Sequence, residues 1–191
     1  MIEKAKGGRH TDSLIRAFIV ENENERRSEQ FLIIWELLYP KVLSYNSIPN
    51  FYMEKTLVEY LLSASYWKKD LREWHSFGIG MLRLFERVAK DFGTFDITLF
   101  CMAKVFCTIG SKYIDVGLDC IHNTIIRSHF TLNSRHLSNT LYYLEQFINQ
   151  YWLLNSRKIR ENNRVKSKVK DILTFMMELG SAKAYRFRDL L

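Results

Sequence analysis

The residues best suited to chemistry in this sequence are a crowd of cations near its carboxyl end. Residues 157–170 hold Arg157, Lys158, Arg160, Arg164, Lys166, Lys168 and Lys170 against a single acid, Glu161. The whole chain has a formal charge of +7, and without this stretch the remainder is almost neutral. Solubility does not require such clustering, whereas an anionic partner does. On one helix, at 100° per residue, Arg157, Arg160, Arg164 and Lys168 share a stripe about 16 Å long, enough to follow roughly two or three phosphates of a nucleic-acid strand. Arginine holds a phosphate through two parallel hydrogen bonds, and three of these four residues are arginine. Lys166 and Lys170 flank the other side of the apolar seam. Arg157, Arg160, Arg164, Lys166, Lys168 and Lys170 are therefore the candidate nucleic-acid contacts, with Asn162 and Asn163 as further polar groups. No base-reading signature accompanies them. The expected contact with DNA or RNA is thus largely independent of sequence and steeply salt-dependent. The competing reading is a protein-interaction scaffold whose basic face meets an acidic partner. A lipid surface fits less well, because the apolar seam of this helix is committed to the protein core.

Other reactive residues carry less. His122, His129 and His136 are spaced by seven, with Cys120 two residues before the first. A seven-residue step along a helix is about 10 Å, too far for two ligands of one zinc ion. There is no CxxC or HExxH, and Cys101 and Cys107 are six apart on an apolar segment. No metal and no cofactor are expected. Nucleophile elbows, P-loops and G-x-G-x-x-G are absent as well. Gly78-Ile79-Gly80 reads as a kink in a helix, and Asp115 and Asp119 as acids facing solvent. Small all-α ribonucleases of the HEPN class carry an Arg-x4–6-His motif. Here Asn123 stands at that distance before His129, and no arginine does. A ribonuclease is therefore the third reading, behind a non-enzymatic binding subunit of a larger assembly and the scaffold. Tyr142-Tyr143 and Tyr151-Trp152 precede the basic stretch, and one residue of each pair must leave the apolar seam. That makes them a candidate stacking platform or partner surface.

These side chains need helices to position them. The 191 residues are 47% hydrophobic and 26% charged, with only two prolines and eight glycines, a globular composition poor in turn residues. Apolar spacing is helical throughout. It is 4-3-4 over Ile114, Leu118, Ile121 and Ile125, and 4-3-4-3 over Leu137, Leu141, Leu144, Ile148 and Tyr151. A last long helix is expected from Asn155-Ser156, through Val165, Val169, Ile172, Met176 and Leu179, to a stop at Gly180. Residues 95–109 are apolar nearly all round, the pattern of a central helix. Gly110-Ser111 should end it and cap the next. The expected fold is all-α, with antiparallel helical hairpins closed into a bundle or stacked as a short α-solenoid. Residues 1–25 read as a flexible or polar lead-in and 26–191 as a single all-α domain. No apolar run approaches the ~20 residues of a membrane-spanning helix, so no membrane partner is expected. Three cysteines fit a reducing, cytoplasmic setting.

Overall fold

In the computed structural model the described residues are 74–91, 96–109, 113–127 and 137–191. They fall almost wholly in the second of two compact units, Met1–Met81 and Leu82–Leu191. The lead-in expected over 1–25, the helices expected before residue 74, and His129 and His136 lie outside them. Among the described residues there are six helices and no strand. They are α1 (Trp74–Asp91), α2 (Asp96–Ile109), α3 (Ile114–Ile125), α4 (Leu137–Glu161), α5 (Asn163–Glu178) and α6 (Ala182–Arg188).

The apolar-all-round segment is α2, and it is central as its sequence requires. Thr98, Leu99, Cys101, Met102, Ala103, Val105 and Phe106 are all buried. Its one internal charge, Lys104, is half-buried and sets its ammonium 5.5 Å from the Phe100 ring centre and 5.7 Å from that of Tyr143. That cation–π placement gives the charge a partner at the edge of an apolar helix. α2 lies against α3 and α4, and α3 and α4 both lie against α5. These four contacts close a ring, which makes a bundle; an open solenoid would leave its end helices apart. α6 packs on α5, with Phe187 6.1 Å from the Trp152 ring of α4.

Close approach of α2 and α3 depends on Gly117. A Cβ there would lie 2.7 Å from Phe106 Cγ, so only glycine lets the ring seat. Phe106 in turn packs edge-on to Phe85 of α1, with ring centres 5.9 Å apart. Burial of a ring this size stabilises the fold by roughly 2–3 kcal/mol.

Three helix boundaries differ from the sequence reading. α1 passes unbroken through Gly78-Ile79-Gly80; glycine keeps its N–H and reaches helical dihedrals, so it weakens a helix without ending it. Tyr113 is the N-cap of α3, without a side-chain capping bond, where Ser111 was the expected cap; Gly110 and Ser111 themselves lie outside the described residues. The third difference divides the basic stretch and is described below. The stop at Gly180 is as expected. Gly180 has φ +89°, its N–H reaches the Met177 carbonyl, and the Ser181 N–H reaches that of Met176, the Schellman arrangement.

Candidate nucleic-acid interface

The basic stretch is not one helix. α4 departs from helical geometry at Asn155 (φ −132°, ψ 23°) and ends at Glu161. Asn162 is extended (φ −112°, ψ 103°), and its side-chain oxygen accepts from the N–H groups of Arg164 and Val165 at 3.0 and 3.2 Å. It is the N-cap of α5. The expected ridge of Arg157, Arg160, Arg164 and Lys168 on a single helix face is therefore corrected. Arg157, Lys158 and Arg160 belong to the tail of α4, while Arg164, Lys166, Lys168 and Lys170 belong to α5. The joint is tight. The Asn162 N–H still donates to the Lys158 carbonyl at 2.9 Å, and its own carbonyl accepts from the Lys166 N–H at 2.9 Å.

Four of the seven bases are held by the chain itself. Lys158 Nζ lies 2.8 Å from Asp115 Oδ2 on α3. Lys168 pairs with Asp119, one turn further along α3. Lys166 donates to the backbone carbonyl of Leu191. Arg157 pairs with Glu161 at 2.8 Å, four residues on; its side chain is 88% exposed, so that pair is weak and easily exchanged. Lys168, at 16% exposure, is more enclosed than Lys158 at 42% or Arg157 at 88%. Arg160, Arg164 and Lys170 differ from these: all three are exposed, with no hydrogen bond or ion pair among the described residues.

Asp115 and Asp119 keep about half of their side chains in solvent, 55% and 48%, in line with their reading as solvent-facing acids, and they are docking groups as well. Asp115 also accepts a hydrogen bond from the Tyr151 hydroxyl at 2.9 Å. Partial burial opposes its charge, but the Lys158 ammonium and the Tyr151 hydroxyl outweigh that and hold the carboxyl below its usual pKa. Burial, then the hydrogen bond to Asp115 and the charge of that carboxylate, push the Tyr151 hydroxyl well above the ordinary tyrosine range. One turn further on, His122 Nε2 donates to Asp171 Oδ2 at 2.9 Å. Residues 115, 119 and 122 of α3 therefore clasp the α4 tail and α5 through side chains up to 49 residues away in sequence. Sequence spacing placed the two aspartates on one face; it carried no information about which helix that face meets.

The aromatic pairs divide. Tyr151 is fully buried, stacked on Phe147 and bonded to Asp115, and Trp152 is half-buried against Phe187. Neither is a stacking platform beside the bases. Tyr142 is exposed and lies edge-on to Tyr143. Among the described residues no group of three or more His, Cys, Asp or Glu side chains is placed to hold a metal ion. None of the described helices is long and apolar enough to cross a membrane. Compared with known protein families and with curated proteins, the chain matches none.

Proposed function

We propose that this chain is a non-enzymatic helical subunit that binds nucleic-acid phosphate at the α4–α5 joint, through Arg160, Arg164 and Lys170. The observation that carries the reading is the division of labour among the bases. Four are tied to acids or carbonyls of the chain, and three are exposed and without a partner among the described residues. Even counting Asp115, Asp119 and Glu161 against it, the stretch keeps an excess of positive charge, with seven bases to three acids. Two of the three free cations are arginines, whose forks match phosphate oxygens. The clasp from α3 fixes the joint, so little order remains to be gained on binding. Lys166 and Lys168 are assigned to holding the joint, and Arg157, in its exchangeable pair, to the rim of the interface. A cytoplasmic location, membership of a larger assembly and indifference to DNA or RNA sequence belong to the same proposal.

The test is a mobility shift of the whole chain with duplex DNA, duplex RNA and single-stranded RNA across a salt series. The variant replaces Arg160, Arg164 and Lys170 with Gln, which leaves every observed ion pair in place. Binding lost in the variant, with an unchanged circular-dichroism spectrum, supports the reading. Retained affinity contradicts it. Binding to polyglutamate and to no nucleic acid would transfer the same cations to an acidic protein partner.

A further inference from the structure

The outward side of α4 carries a second surface. From Asn139 to Leu154 its exposed residues are Asn139, Tyr142, Gln146, Asn149, Leu153 and Leu154, and none of them is charged. The one charged residue in that span, Glu145, is turned aside to Lys183 at 2.9 Å and to the Ser181 hydroxyl at 2.7 Å. The chain as a whole is 26% charged, and these six exposed positions carry no charge. Depletion of charge with aromatic and apolar anchors is the composition of an interface core. Tyr142, Leu153 and Leu154 are 55%, 74% and 51% exposed. Tyr142 and Leu153 are eleven residues apart, so they stand within about 20° of one stripe and about 16 Å along it.

The order of residues along the stripe selects the occupant. Tyr142 and Leu153 are equidistant from the midpoint between Phe147 and Ile148, and so are Gln146 and Asn149. Two copies of α4 crossing antiparallel about a two-fold axis at that midpoint place Tyr142 of each on Leu153 of the other. The same operation sets each Gln146 amide against an Asn149 amide. Apolar groups meet apolar groups, and amides meet amides, as a self-complementary contact requires. A shift of one turn would set the Tyr142 ring against the Asn149 amide and leave polar atoms unpaired. An acidic partner has nothing to complement here, because the cations begin at Arg157, past the break at Asn155. A parallel pairing would bring the two cationic tails side by side, whereas the antiparallel one keeps them at opposite ends.

We infer that α4 is the two-fold seam of a homodimer, with the Tyr142–Leu153 and Gln146–Asn149 contacts each made twice. This stands apart from the phosphate-binding reading, since none of Arg160, Arg164 and Lys170 lies in the seam. The test uses the whole chain without nucleic acid. Light scattering should give twice the chain mass for the native protein and the chain mass for Leu153→Asp, a change at an exposed position that leaves the core intact. Tyr142→Cys and Leu153→Cys should each fail to cross-link alone and should form a covalent dimer when co-expressed and mildly oxidised. The native thiols give little background: Cys101 and Cys120 are buried, and burial pushes the half-buried Cys107 thiol up to about 12. A native monomer would overturn the inference. So would a dimer that Leu153→Asp leaves intact, or single variants that cross-link as readily as the mixture.

Discussion

α2 and the α4–α5 joint are both helical, yet different forces hold them. α2 is enclosed by its neighbours, its carboxyl-terminal half anchored by Phe106 between Phe85 and Gly117. Its place follows from apolar area removed from water, which is non-directional and tolerates no loss of volume. The joint is mostly exposed and has Ile159 and Val169 as its buried residues. Its shape rests on a capping asparagine, two carboxylates of α3 and the Tyr151 hydroxyl. Directional polar contacts of this kind are individually small. They fix which cations are consumed in holding the structure and which stay exposed, the latter being the ones proposed to bind phosphate. One region therefore carries the stability and the other the specificity of charge.

Changes in the two regions should differ in size and in what they disturb. Phe106→Ala should cost about 3–5 kcal/mol, the range for deleting a buried ring. Denaturant titration would show it, and affinity per folded molecule should be unaltered. Asn162→Ala should cost about 1 kcal/mol through loss of the α5 cap. It should also weaken nucleic-acid binding, because Arg164 lies in the first turn that the cap orders. A stability loss with unchanged affinity would detach the joint from the site. Lys168→Met and Lys170→Met form the sharpest pair. The first breaks the bridge to Asp119 and should lower stability by about 1 kcal/mol or less, with little effect on affinity. The second should do the reverse.

The smallest effect is on the acid limb. Asp115 titrates below its usual value in the folded chain, so the unfolded chain takes up that proton first as pH falls. Its stabilising contribution is complete above the ordinary carboxylate range, near pH 4, and is lost as pH drops through the lower folded value. Asp115→Asn should remove that increment at neutral pH and flatten the profile there. Because Asp115 is largely solvent-exposed, the change is small, and thermal melts at closely spaced pH values are the appropriate measurement.

What the sequence allowed to be read follows the same division. α2 was legible because burial on every side leaves its mark in composition, and the Gly180 stop because a left-handed residue after a helix calls for glycine. The joint was not. Asn155-Ser156 and Asn162-Asn163 are equally good starts for a helix by residue type, and only packing decides that the first is a break within α4 and the second the cap of α5. The basic stretch was visible as charge, but the division between anchored Lys158, Lys166 and Lys168 and free Arg160, Arg164 and Lys170 was not. That division depends on partners in α3 and at Leu191, far off in sequence. The uncharged outer stripe of α4 was present in the sequence as a run from Leu137 to Leu154 with Glu145 as its only charge. It had meaning only once Glu145 was seen to turn toward α6.

The most direct test is the salt dependence of binding to a short DNA duplex, measured by fluorescence anisotropy for the native chain and the Arg160/Arg164/Lys170→Gln variant. Each phosphate contact contributes about 0.9 to the slope of log affinity against log salt. The variant should therefore lose about two to three units of slope, while Lys168→Met keeps the native slope. Equal slopes for the native chain and the triple variant, or a slope that falls with Lys168→Met instead, would contradict the assignment of the free cations to phosphate.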